Sequence, residues 1–483
     1  MRSLWYTESN GNLEREAEWV KPVLAVDIGA SSGRHILGWM EDGKLQLKEM
    51  YRFENKLVTK NGHLCWDADA LFESIVEGMR VCGEAGMIPE SVGIDTWAVD
   101  FALLDAQGQR IGDTVAYRDS RTQGMDGVLD GFVSPQAHYA RAGIQKQIFN
   151  TVYQLLAVKA AGDDLDRASR LLMMPEYFHY LLTGECVSEY TNASSTALLN
   201  AKARTWDWDL IDAIGAPRGI FGALHQPGTT VGMLREEIAR RVGYNCRVVL
   251  PATHDTASAV LAAPVKRGSI YISSGTWSLM GVELTAPVLT EESRARNLTN
   301  EGGVNGTIRY LKNIMGLWII QNIRNELGRK YSFPELAQLA RAAEGYEAVV
   351  DVNDARFLAP ESMIDTLKAV IAENGYPAPR NLGELMQCVY TSLALCYREA
   401  AQEIAQITGE TYDTICIVGG GCQDEYLNER TARACGMRVS AGPIEATAIG
   451  NVMVQLIAKG DFTDVADARA CVKRSFDVKE YQP

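Results

Sequence analysis

Histidine is scarce, with six in 483 residues and none in an HxH or HExxH arrangement. That scarcity argues against a tightly held transition metal, which selects imidazole and thiolate ligands. The ten cysteines fall at irregular spacing without CxxC pairs. Neither a zinc ribbon nor a disulfide-dense secreted scaffold fits them, and they read as small buried apolar residues. No run reaches the roughly 18 apolar residues of a membrane helix, and the polar, acidic stretch Met1 to Lys21 has no signal-peptide core. The expectation is a cytoplasmic protein without a membrane partner. Positive charge is short as well: 47 Lys and Arg against 61 Asp and Glu leave a net charge of −14, which disfavours nucleic acid as a partner. There is no GxxxxGK[ST] phosphate loop and no GxGxxG dinucleotide fingerprint. Low-complexity tracts are absent too, and 47% hydrophobic with 22% charged residues describes an ordered globular chain.

What the chain does contain is a duplicated pattern. Its length favours two domains and therefore a cleft between them. Val23 to Asp27 reads as a buried strand, followed by a Gly/Ser turn, the apolar run Ile36 to Met40, an Asp42-Gly43 turn and the alternating stretch Lys44 to Phe53. This is an antiparallel meander. Ser269 onward repeats the theme: strand Ile270 to Ser273, turn Ser274-Gly275-Thr276, strand Trp277 to Glu283. Helical patterns at Ala68 to Cys82 and Tyr153 to Ala161 and strands at Ser91 to Ile94 and Val99 to Leu104 make the class α/β. The lobe boundary is expected near Ala263-Pro264.

Four segments carry chemistry. In Asp27-Ile28-Gly29-Ala30-Ser31-Ser32-Gly33-Arg34, a carboxylate at a strand end precedes a turn rich in amides and hydroxyls. Such a turn cradles phosphate, and the carboxylate can hold Mg²⁺ directly or through water; an ordinary hairpin turn is the plain alternative. Ser273 to Trp277 offers a second such turn, with Thr276 as a donor to a terminal phosphate. The run Gly419-Gly420-Gly421, after the strand Ile415 to Val418 and before a helix near Asp424, lets a flat ring approach the backbone, although glycine turns also serve as plain connections. In Thr253-His254-Asp255-Thr256, Asp255 stands at a helix start, where capping is its simplest role. With two phosphate turns opposite, the helix-end field would keep Asp255 ionised, ready to accept a proton from an attacking alcohol.

In this order the four segments resemble the FGGY carbohydrate kinase family from about Val23 to about Gly460. Ala116 to Thr122, Met174 to Tyr177, Leu182 to Gly184 and Glu189 to Ser195 carry further text of that family. The resemblance implies two actin-like (ribonuclease H-like) lobes around an interlobe catalytic cleft: an extension at 1–21, a sugar-binding lobe with the base at 22–263, and a nucleotide-binding lobe at 264–483. Gly93 to Phe101, His254 to Ser258, Gly275 to Gly281 and Leu311 to Trp318 are similar to the branch that phosphorylates L-rhamnulose at its 1-hydroxyl.

Carried over residue by residue, the resemblance implies that Asp255 is the base and that His254, Thr256 and Asn313 contact the sugar. Ala30, Ser31, Ser32, Gly33, Arg34 and Thr276 would face the ATP phosphates. Gln321 with Gly419, Gly420 and Gly421 would hold the rest of the nucleotide, and Asp27 would serve Mg²⁺. Ala98 stands beside the expected sugar where that branch carries glycine. Partners are expected to be a sugar and ATP, for a monomer or small homo-oligomer. Two alternatives are a kinase for another ketose or polyol (fuculose, xylulose, ribulose) and an actin-like ATP-binding protein without kinase activity. Asp95 and Asp100 are open between hydrogen bonding and a role at the site, as is the Arg118, Asp119, Arg121 cluster. Trp66, Trp206 and Trp208 read as packing, and His35, His63, His138, His179 and His225 as structural.

Overall fold

The computed structural model describes residues 21–162 and 164–483. Apart from Lys21, the extension assigned to 1–21 lies outside them. Strand β1 (Val23–Ile28) is buried throughout, pairing antiparallel with β2 (Ser32–Glu41) on one side. β2 returns into β3 (Lys44–Glu54) through Asp42 and Gly43, whose φ values of 50° and 72° match the left-handed pair that a two-residue hairpin requires. Helix α1 (Ala68–Glu84) is capped by Asp67 and buries Leu71, Ile75, Met79 and Cys82 along one stripe. It leads to β4 (Ser91–Thr96), parallel to β1. Strands β5 (Thr230–Met233) and β6 (Arg247–Val249) complete a six-stranded sheet of order β5-β6-β4-β1-β2-β3. Helix α2 (Asp255–Ala262) follows.

The second sheet repeats this plan. β7 (Ser269–Ser274) pairs antiparallel with β8 (Ser278–Leu284), beyond which lie β9 (Thr299–Gly302) and β10 (Ile308–Ile314). After α3 (Trp318–Glu326) and the 27-residue α4 (Leu382–Thr408), β11 (Thr414–Val418) lies parallel to β7, as β4 does to β1. Then come α5 (Glu425–Cys435), β12 (Arg438–Ala441), α6 (Ala446–Lys459) and β13 (Lys479–Tyr481), giving the order β9-β10-β8-β7-β11-β12-β13. The chain passes between sheets across 263–268, and the expected duplication is present for all six strands of the first sheet, the second adding β9 at its edge.

The period of two along β1 divides two cores. Leu24, Val26 and Ile28 pack with α1, whereas Val23 and Ala25 pack with Ala259 and Leu261 of α2 and with Ile449, Val452 and Met453 of α6. A helix from the C-terminal half therefore covers a face of the N-terminal sheet. The crossing is close: a Cβ on Gly450 of α6 would lie 1.8 Å from the Ser258 carbonyl oxygen of α2. Asp27 shares the parity of Val23 and Ala25, so it points toward α2 and α6.

One expected element differs and another gains detail. The strand predicted from Val99 begins at Phe101, because Val99 has a φ of 68°, a conformation unfavourable for a β-branched residue. It is held there by its carbonyl, which accepts from Thr151 Oγ1 (2.7 Å) and Gln154 Nε2 (3.2 Å). The helix expected near Asp424 is there, starting at Glu425 with Asp424 as its cap (3.0 Å to Leu427 N–H), and a 3₁₀ turn over Gly420–Gln423 precedes it. Among the described residues no helix is long and apolar enough to cross a membrane. The described cysteines are all unpaired, seven of them buried.

Candidate active site

Strand register assembles the first group. Asp27 lies opposite Arg34 on β2 and opposite Asp95 on β4. Arg34 donates to Asp27 Oδ2 through Nε (2.9 Å) and Nη2 (2.8 Å) and reaches Glu445 Oε2, at the start of α6, through Nη1 (2.6 Å). Asp95 is fully buried; Asn451 Nδ2 of α6 donates to its Oδ2 at 2.6 Å, while Oδ1 has no partner. Burial and then the neighbouring Asp27 push the Asp95 carboxyl well above the ordinary range.

Asp255 is the first residue of α2, after His254, whose segment bridges to Thr96 of β4. The buried Glu189 pins that segment, its Oε2 accepting from Thr253 N–H (3.1 Å) and Thr253 Oγ1 (2.7 Å). Asp255 keeps 30% of its side chain exposed to the cleft, and its Oδ1 accepts from Thr256 N–H (2.5 Å) and Thr256 Oγ1 (3.1 Å). Desolvation, followed by the Asp27 charge, pushes its pKa up to about 7 despite those two bonds. The helix-end field that favours the ion is thus opposed by desolvation and a like charge, which leave Asp255 titrating near neutrality. A carboxyl that titrates near neutrality is matched to general-base work.

From the second sheet, the turn at Gly275-Thr276 seats on the start of α3, with Leu317 and Trp318 N–H donating to Gly275 O and Thr276 O (both 3.1 Å). Gly419 (φ 84°) and Gly421 press on Ser274; a Cβ at Gly421 would fall 2.0 Å from Ser274 Oγ. Glycine is what lets these two loops meet.

Between the sheets lies a cavity of about 580 Å³. Ala30, Arg34, Ala98, His254, Asp255, Thr256, Thr276, Asn313, Gly419 and Gly420 all line it. Asp27, Ser31, Ser32, Gly33, Gln321 and Gly421 do not. Asp27 is nearly buried beneath Arg34, a Cβ on Gly33 would strike the Phe53 ring, and Gln321 Oε1 accepts from Thr276 Oγ1 at 3.2 Å.

Several other candidates prove to be internal. Asp100 accepts from Trp66 Nε1 (2.6 Å), Trp97 Nε1 (3.0 Å), Tyr117 N–H (3.0 Å) and Gln154 Nε2 (2.8 Å), a complete structural shell. Asp119 bonds His63, Leu64 N–H and Arg121 N–H, and Trp206 packs on Phe221. His35, His138 and His179 are buried on backbone partners. Sequence reading missed Glu301 and Glu445, which line the cavity, and Arg309 behind it. None sits in a recognisable motif; only the β9–β10 pairing and the approach of α6 bring them in.

The family model for the FGGY carbohydrate kinase N-terminal domain matches residues 22–262, and that for the C-terminal domain matches 270–459. The chain is 47% identical to a rhamnulokinase of Halalkalibacterium halodurans over 95% of this chain and 98% of that one. It is 42% identical to a rhamnulokinase of Bacillus subtilis over 95% of each. Among solved structures, a gluconate kinase from Lactobacillus acidophilus superimposes with a TM-score of 0.80 at 16% identity, and Plasmodium falciparum glycerol kinase with ADP with 0.78 at 12%. Each covers 96% of this chain and 94% of the other. Two matching sheets, a cleft lined from both, and family models spanning both halves make the chain a member of the FGGY family of carbohydrate kinases.

Proposed function

We propose that the protein transfers the γ-phosphoryl group of ATP to the 1-hydroxyl of L-rhamnulose, giving L-rhamnulose 1-phosphate and ADP. The observation that carries this reading is the placement of Asp255, with a pKa of about 7, in a cavity lined by phosphate-type turns from both sheets. Its neighbours His254, Thr256, Asn313 and Ala98 form the sugar side, and the similarity to rhamnulokinases supports the choice of ketose. Asp255 accepts the hydroxyl proton as the oxygen attacks phosphorus, and the bond to the ADP oxygen breaks. Ala30, Arg34 and Thr276, which line the cavity, face the phosphates, with Ser31 to Gly33 set back from it in the same turn. Gln321 orients Thr276, and Gly419 and Gly420 give the remaining nucleotide access to the backbone, while Gly421 seats their loop on Ser274.

Among the described residues no three carboxylates, histidines or cysteines gather as a metal site, so a magnesium ion would be carried in with ATP. The Asp27 charge raises the proton affinity of both Asp95 and Asp255, and Asp95 Oδ1 is buried without a partner, so these two carboxyls gain from a nearby cation. Mg²⁺ needs only one or two carboxylates beside phosphates and water, and Asp27, set back beneath Arg34, would hold it through water. Bound there, Mg²⁺ would offset charge on the phosphates. The net charge of −14 supports an enzyme of small molecules without nucleic acid as partner, and we read it as cytoplasmic, free of membrane, and a monomer or small homo-oligomer.

The test is ADP release coupled to a reporter, run with L-rhamnulose, L-fuculose, xylulose and ribulose. Fastest turnover with L-rhamnulose is the expected result; a faster competitor would overturn the substrate.

A further inference from the structure

The second sheet sends one buried ionic group across the cleft to the residue preceding Asp255. Arg309 of β10 is 1% exposed and held by its Nε, which donates to Gly302 O of β9 at 2.9 Å. Its Nη2 lies 3.0 Å from His254 Nδ1 and 3.1 Å from Glu301 Oε2, while Nη1 is buried without a partner. His254 is itself nearly buried, and its other nitrogen, Nε2, lies 3.5 Å from Asp255 Oδ1.

A guanidinium only donates hydrogen bonds, so the nitrogen that meets Arg309 Nη2 must be the acceptor. A neutral imidazole carries one proton, and it then sits on Nε2, the nitrogen beside Asp255. Burial and then the Arg309 charge keep His254 neutral, in agreement with that contact. The competing arrangement has Nδ1–H donating to Glu301 Oε2, which is 3.5 Å away and makes no hydrogen bond of acceptable geometry. The shorter contact belongs to Arg309.

We propose that Arg309 is a positioning residue for phosphoryl transfer: it fixes His254 in the Nε2–H tautomer, so that the imidazole presents a donor to an acceptor oxygen of the ketose. This rests on the reading of Asp255 as the base and His254 as a sugar contact. It also makes the alignment of His254, which belongs to the first half of the chain, depend on a side chain of the second sheet. Glu301 offsets the buried arginine charge without taking the histidine proton.

The direct test is the ¹⁵N spectrum of full-length protein labelled at histidine, with His254 assigned by its loss in His254→Asn. The expected signature is a protonated Nε2 and an unprotonated Nδ1. A protonated Nδ1 in the unsubstituted protein would overturn the proposal, with Glu301 as the partner instead. Arg309→Met should shift the tautomer and lower kcat/KM for the fastest ketose by about 10- to 100-fold, as for a misplaced polar contact, leaving KM for ATP within about twofold. Arg309→Lys, which keeps a donor, should restore the Nε2–H signature and part of the rate. Unchanged tautomer and kcat/KM in Arg309→Met would also refute the role. Should Arg309→Met fail to fold, the unsubstituted protein and Arg309→Lys still decide the matter. Asp255→Asn separates the two readings, since it should slow transfer by about 10²- to 10⁴-fold without moving the tautomer; normal transfer there would remove the base while the spectrum still judged Arg309.

Discussion

At Asp255, two local rules oppose each other. A carboxylate at the first turn of a helix is favoured as an ion, whereas desolvation beside Asp27 favours the proton, and here the proton wins to a pKa of about 7. As a base, Asp255 works only when ionised, so kcat/KM for the ketose should fall about tenfold per unit of pH below 7 and level off above it; a pH–rate profile checks this. The same shift acts on stability with a definite sign. Between its ordinary value of 3.8 and about 7, Asp255 is more protonated in the folded chain than in the unfolded one, so it costs stability as pH rises through that window. Asp255→Asn should therefore melt at a higher temperature than the parent at pH 8, with the advantage shrinking as the pH falls toward 4. Ala98 is the other residue with a consequence at this scale. Removing its methyl in Ala98→Gly should change the ratio of kcat/KM between L-rhamnulose and ribulose, by up to about 200-fold, the range one methylene commands in a pocket; parallel ketose assays would show it. The type and motif position of these residues were legible in the sequence. The proton affinity of Asp255 was not, because it depends on Asp27, a neighbour only in three dimensions.

Elements matter here through close contact between backbones. Gly450 lets α6 lie against the Ser258 carbonyl of α2, the helix that starts with Asp255. Gly450→Ala inserts a methyl where 1.8 Å is available, so it should destabilise the fold by about 1–3 kcal/mol or more and depress activity, measurable by thermal unfolding and by turnover. Gly421 plays the same part between the glycine run and Ser274. Gly421→Ala should raise KM for ATP more than KM for the ketose. Sequence patterning located the strands of both meanders because hydrophobic runs and small-residue turns are local signals. It misplaced the start of the strand at Val99 because that residue is held at a φ of 68° by Thr151 and Gln154 from a distant helix. A β-branched residue reads as strand until such partners are known.

Across the whole molecule, duplication of one sheet plan gives two faces that converge on a cavity, and α6 returns from the second half to cover the first sheet. The duplication was visible as two similar turns. The return of α6 was not, and with it came Glu445, which meets Arg34, and Asn451, which meets Asp95. Both polar contacts join the halves, so the site is complete only when they are together. The central claim is that this joined site uses Asp255 to activate the 1-hydroxyl of L-rhamnulose. The measurement that tests it most directly is transfer from ATP to L-rhamnulose at saturating substrates, followed by ³¹P resonance of the product, for the parent and Asp255→Asn, alongside calorimetric ATP binding. The account predicts L-rhamnulose 1-phosphate from the parent, a loss of about 10²- to 10⁴-fold in Asp255→Asn, and unchanged ATP affinity; undiminished transfer in the variant would contradict it.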